Sequence, residues 1–337
     1  SVRWLPPPGG GVLEWRATVA NARNGGGFDA WLGSDWGLFR AEDVIPRARS
    51  RSLKRSVSQT TLAFDLPAGW SAVTEYSGVQ DPIVVRRSDR RFDLPTGWIV
   101  IGKLGVRREQ IAGIRVAVAG PEGQTIRRMD MLALLNWTLP ELVSLLPEPP
   151  TRLTIVSAGD PMWRGGLSAP ASLYIHADRP LISENATSSL LHEVLHTALS
   201  LRAEADMDWI VEGLAEYYSL ELLHRGGAIT ARRHKRAIED QAEWAQRADT
   251  LCGPTSTGAT TARAVTLFRA LDKELRQNTD DERNLDDLLS AVLQEDRPVS
   301  GSLLARLSAT LGGKPSDVLH IDNLPGCQKM TSVVESN

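Results

Sequence analysis

The chemically densest stretch of the chain is His192-Glu193-Val194-Leu195-His196. On a helix, residues four apart share a face with Cβ atoms about 5–6 Å apart. Two imidazoles so placed can bind one Zn²⁺ at about 2.0–2.1 Å. Glu193 falls where its carboxylate can take the proton of a water that the metal acidifies. Sixteen positions beyond His196 comes Glu212, within Trp209-Ile210-Val211-Glu212-Gly213.

Helix geometry tests Glu212 as third ligand. The apolar flank Leu190, Leu191, Val194, Leu195, Ala198 and Leu199 predicts a buried helix over 185–201. The polar run 202–206 breaks it, and Asp206 or Asp208 is the expected cap of a second helix reaching Arg225. At a rise of ~1.5 Å per residue, His196 and Glu212 each lie roughly 6–8 Å from the reversal. An antiparallel pair therefore sets them side by side, giving His192, His196 and Glu212 as ligands of one Zn²⁺ per chain. Glu216, one turn further along the same face, is suited to hold a ligand histidine by hydrogen bonding. The competing reading is a surface histidine pair beside a solvated glutamate. It fits poorly, because the helix is apolar nearly all round and a buried His-Glu-His without a partner is costly.

The rest of the chain must position these groups. Its 337 residues are enough for two domains, each with a core. A net charge of −3 gives no electrostatic case for nucleic acid. The basic runs 47–55 and 86–91 read as solvated loops and strand edges. No stretch approaches the ~20 apolar residues that span a bilayer. An opening on Ser1 rather than methionine fits either a removed signal peptide or a trimmed start. Cys252 and Cys327 lie outside any metal-binding spacing. Either they form a disulfide tying the C-terminal tail to the helical part, or they are two buried thiols. The disulfide would favour an extracytoplasmic setting, periplasmic or secreted.

Residues 1–110 read as a β-rich domain resembling a sandwich, with expected strands at Val12–Val19, Gln59–Phe64, Ile83–Val85 and Trp98–Ile101. The turn Phe64-Asp65-Leu66-Pro67-Ala68-Gly69-Trp70 is echoed by Phe92-Asp93-Leu94-Pro95-Thr96-Gly97-Trp98. Residues 111–225 change texture: a strand at 114–119, a helix at 126–146, a strand at 152–156, then 165–176 leading to the histidine helix. That β-α-β-β-α order is the upper lobe of a zincin. Residues 226–337 read as a helical C-terminal subdomain, with helices over 230–248, 259–277, 284–294 and 302–312. The fold class is α+β.

His192-Glu193-x-x-His196 followed by Trp209-x-x-Glu212-Gly213-x-x-Glu216-Tyr217-Tyr218 resembles the gluzincin metallopeptidases. Among those it is most similar to the M61 glycyl aminopeptidase family. Arg179-Pro180-Leu181-Ile182-Ser183-Glu184-Asn185 and Leu271-Asp272-Lys273-Glu274-Leu275-Arg276 add to the likeness. The resemblance implies a thermolysin-like catalytic domain behind a β-domain, with Glu193 as base. Two departures stand out. Related aminopeptidases carry a glutamate for the substrate's amine on a Gly-x-Met-Glu-Asn-type strand, and here Ser168 takes that place. A tyrosine pair ahead of the Leu-Asp helix is replaced by Thr260-Thr261.

These readings predict zinc-dependent hydrolysis of a peptide or protein substrate. Gly166, Leu167, Ser168, Ala169 and Tyr174 are expected on a sheet edge binding extended peptide. Tyr217 and Tyr218, with Tyr174 and His176, are candidates to stabilise the oxyanion. His224, His234 and His320 read as surface histidines. The alternative is a catalytically silent zincin fold serving as a peptide-binding or scaffold protein. Exo- versus endopeptidase action and oligomeric state stay open at the level of sequence.

Overall fold

The computed structural model describes residues 5, 7–46, 59–76, 82–85 and 94–327. Short strands between turns open the chain: β1 (Asn21–Ala22), β2 (Phe28–Leu32), β3 (Trp36–Arg40), the one-turn α1 (Ala41–Val44), β4 (Thr60–Leu62), β5 (Ser71–Val73), β6 (Ile83–Val85) and β7 (Trp98–Gly102). An antiparallel sheet runs in the order β1-β2-β3-β7-β5, and β4 pairs with β6 apart from it. The alternating run Val12–Val19 is not a strand. Residues 12–18 are exposed, and the Trp15 indole donates to the Val44 carbonyl. Alternation supplies two faces, but a strand also needs a neighbour to bond. In the first of the two echoed turns, Gly69 takes φ 80° and the Trp70 amide donates to Pro67. Phe92 and Asp93 of the second copy, and both basic runs, lie outside the described residues.

The second sheet begins at β8 (Leu104–Ile111) and continues through β9 (Ile114–Pro121), β10 (Arg152–Ala158), β11 (Gly166–Ala169) and β12 (Ser172–His176), with α2 (Arg128–Leu145) between β9 and β10. Its order is β11-β12-β10-β9-β8. The three central strands are parallel, and β8 and β11 are antiparallel edges. Central strands covered on both faces must be apolar throughout, and β10 is buried from Leu153 to Ala158. On β12, Leu173 and Ile175 join the core beneath the helices, while Tyr174 faces the N-terminal sheet and meets Trp98.

Helices α3 (Ser189–Leu199) and α4 (Asp208–Arg225) follow. The Ser188 hydroxyl accepts from the Leu191 amide at the start of α3, and Ser200, at φ 48°, ends it. This trims the expected span 185–201 at both ends. Ahead of the cap, Ser183 and Thr187 bond each other in a tight turn. Leu190, Leu191, Val194 and Leu195 are buried. At about 1.5–3 kcal/mol per buried side chain, against ~1 kcal/mol for a cap, packing rather than capping holds α3 in place.

Neither Asp206 nor Asp208 caps α4. The N-cap is Met207 without a side-chain bond, Asp206 turns left-handed at φ 63°, and Asp208 accepts from the Ser256 amide. The chain ends in α5 (Ala231–Ala245), α6 (Ala259–Asn278), α7 (Leu285–Leu293) and α8 (Gly301–Gly312). Cys252 and Cys327 are bonded, with Cα atoms 5.0 Å apart.

Candidate metal centre

Residues His192 and His196 stand on one face of α3, where α4 crosses it. The Nε2 atoms of the two rings lie 3.0 Å apart. Glu212 reaches in from α4, with one oxygen 3.2 Å from His192 Nε2 and the other 3.3 Å from His196 Nε2. Donor atoms about 2.0–2.1 Å from a tetrahedral ion are spaced about 3.3–3.4 Å from each other. The three side chains fit one Zn²⁺ on this ground. They are also the only three-residue His, Cys, Asp or Glu group with metal-binding spacing among the described residues. On the far side of His192, Nδ1 lies 3.0 Å from Glu216 Oε2. An imidazole so anchored has its tautomer and ring orientation set for ligation through Nε2.

Electrostatics follow from this crowding. Burial opposes charge on His192, but hydrogen bonds with Glu212 and Glu216 outweigh it and hold its pKa up to about 10. Burial likewise opposes ionisation of Glu212, and the two imidazoles overcome it, holding that carboxyl at about 2. Glu193 differs. Burial raises its pKa, and the nearby His192 and His196 offset only part of the effect. A carboxyl raised in this way is a better base near neutral pH than an exposed one.

Edge strand β11 lies beside Glu193. A Cβ at Gly166 would come 2.6 Å from Glu193 Cγ, and the Ser168 backbone amide lies where it favours the ionised Glu193 carboxylate. Because the His176 amide donates to Gly165, hydrogen-bonded pairs continue at Leu167–Tyr174 and Ala169–Ser172. The backbone groups of Gly166 and Ser168 are therefore left on the unpaired edge. Leu167 and Ala169 pack against the core between the two sheets. Gly166→Ala should displace Glu193 and lower kcat/KM about a hundredfold, the usual result of a ~1 Å misplacement. Metal analysis should show zinc content unchanged, and normal turnover would separate this close approach from catalysis.

Four candidate residues are placed elsewhere. Tyr217 and Tyr218 follow Glu216 on α4, so at about 100° per residue they turn off the Glu212–Glu216 face. Both are buried, and the Tyr218 hydroxyl donates to Asp286. Tyr174 projects from the opposite face of the sheet, where its hydroxyl donates to the Trp163 carbonyl. His176 is fully buried, its Nδ1 accepting from the Asp178 amide, and burial lowers its pKa. None reaches the His-Glu cluster. His224 and His234 are not free surface groups: their rings stack at 4.5 Å and His234 Nε2 lies 2.9 Å from Glu221. Sequence reading missed Gln241 of α5, whose Nε2 donates to Glu216 Oε1 at 3.3 Å. No motif marks it, although a glutamine within the apolar stripe Ala237, Ile238 and Ala245 was a visible irregularity.

The fold is shared with solved structures. It matches an aminopeptidase N family protein from Idiomarina loihiensis with a TM-score of 0.61 at 17% identity, over 81% of this chain and 55% of that one. It matches an M1 zinc metallopeptidase from Deinococcus radiodurans with a TM-score of 0.51 at 17% identity, over 77% of this chain and 62% of that one. Native yeast LTA4 hydrolase matches with a TM-score of 0.53 at 15% identity, over 84% of this chain and 48% of that one. The chain thus spans roughly half to three-fifths of the length of these structures. No protein-family model and no curated protein matches the sequence. At such identities the likeness establishes the fold alone, a mixed α and β architecture with an N-terminal sheet domain and a helical C-terminal part.

Proposed function

We propose that this chain is a zinc-dependent metallopeptidase. The observation that carries the reading is the convergence of His192, His196 and Glu212, with the half-buried Glu193 beside an unpaired strand edge. His192, His196 and Glu212 would hold the ion, and Glu216 would orient His192. Zinc bound there would supply Lewis acidity and lower the pKa of water toward ~7. Glu193 accepts a proton from the attacking water and passes it to the leaving amine. An extended peptide adds to β11, meeting the backbone groups that Gly166 and Ser168 turn to the unpaired edge.

Ser168 offers no charge to a substrate's amine, so internal or N-blocked peptides suit this edge better than free N-termini. Within the gluzincins, Arg179–Asn185 and Leu271–Arg276 support an M61-like member. The Cys252–Cys327 bridge supports an oxidising, extracytoplasmic setting.

A catalytically silent peptide-binding protein is the second reading, favoured by the placement of Tyr217 and Tyr218 away from the cluster. Cleavage of a mixed peptide library, with and without chelator, separates the two. Cuts that cease on chelation and return with zinc are expected. Peptide binding without any cleavage, by protein carrying zinc, would overturn the peptidase reading.

A further inference from the structure

The buried stripe of α5 is Ala237, Ile238, Gln241 and Ala245. Three of these suit an apolar interface, whereas Gln241, a residue 6% exposed, brings a carboxamide. Its Nε2 donates to Glu216 Oε1 at 3.3 Å, and the other Glu216 oxygen lies 3.0 Å from His192 Nδ1. An ionised carboxylate only accepts hydrogen bonds, so the NH₂ of Gln241 must face Glu216 and its carbonyl must point away. That carbonyl is buried and has no hydrogen-bond partner among the described residues. An orphaned buried acceptor destabilises a fold, and leucine would fill the same place without it. Packing therefore gives no reason for glutamine at this position. Its one hydrogen bond does, because it ends on the group that orients a metal ligand.

We propose that Gln241 is a positioning residue for the metal centre, acting from the helical subdomain through Glu216 on His192. With its Oε1 held by Gln241, Glu216 presents Oε2 to the imidazole in a single orientation. Residues three side chains from a metal can matter in this way, since partners that orient ligands typically alter metal affinity about 10–100-fold. The inference rests on the zinc reading above and extends it to a residue of α5, a helix that contributes no ligand.

The test is zinc affinity by chelator competition, with thermal melting of the same metal-free samples. Gln241→Leu should weaken zinc binding about tenfold or more with little change in metal-free melting temperature, since loss of the bond to Glu216 is offset by removal of the orphaned carbonyl. In a Glu216→Ala background the same substitution should have no further effect on affinity, since the connection through Glu216 is already cut. Gln241→Met makes the same comparison should leucine prevent folding. Wild-type zinc affinity in Gln241→Leu, or full additivity with Glu216→Ala, would overturn the inference and leave the metal centre standing. A wild-type protein that takes up no zinc would overturn both together. A lower melting temperature with unchanged zinc affinity would make Gln241 a packing residue only.

Discussion

Replacing Glu193 with glutamine should reduce kcat/KM about 10²–10⁴-fold, the range associated with loss of a positioned general base. Zinc content and melting temperature should stay as in the wild type. Glutamine has nearly the same shape but cannot take a proton, so the substitution removes the chemistry and leaves the packing of α3 against β11. The fold should tolerate the change well. Glu193 is a half-buried carboxyl whose pKa is raised by desolvation, so its ionised form gains little from its surroundings. Glu193 is also not among the three side chains that converge as ligands. Its role is thus separable from metal retention, which is untrue of His192, His196 or Glu212. Steady-state kinetics on a cleaved library peptide, together with metal analysis of both proteins, decides the matter. Activity within a factor of ten of wild type would remove Glu193 from the mechanism. Loss of zinc alongside loss of activity would make it a structural member of the cluster.

How much of this could be read from the sequence depended on whether the information was local. The cluster was legible because i, i+4 spacing on α3 and one reversal into α4 fix three side chains within a single helical hairpin. The same periodicity turns Tyr217 and Tyr218, offered as candidates, off the Glu216 face, since adjacent residues of a helix cannot share one. Tyr174 was harder. Alternation on β12 divides Tyr174 from Leu173 and Ile175, but only the packed structure reveals which face α3 covers. Val12–Val19 failed for a related reason, as its pattern is that of a strand while its partner is not specified locally. Helices α5 to α8 were placed within a few residues because each has an amphipathic stripe, and α5, α7 and α8 add an N-terminal signal, such as the capping box of Asn284 and Asp287. The contact from Gln241 to Glu216 depends on how α5 docks against α4, which no local pattern encodes.

Zinc uptake should be coupled to release of protons, and affinity should climb steeply with pH. In the metal-free site His192 is held protonated up to about 10 by Glu212 and Glu216, and zinc requires its neutral ring. Each pH unit below that value should therefore weaken apparent affinity about tenfold, or about a hundredfold between pH 8 and pH 6. Stability of the metal-free protein should move the other way. A histidine raised from 6.5 to about 10 stabilises the fold fully below 6.5, and the contribution is lost as pH rises through about 10. Glu212, lowered from 4.5 to about 2, contributes above 4.5 and loses its contribution as pH falls through about 2. The ion cluster thus supports the metal-free fold most between 4.5 and 6.5. Zinc-loaded protein should instead gain stability as pH rises through neutrality, because binding tightens. Chelator competition across pH 6–8, with melting curves of both forms, tests the linkage. Affinity that stays flat over that range would show that zinc displaces no proton from His192.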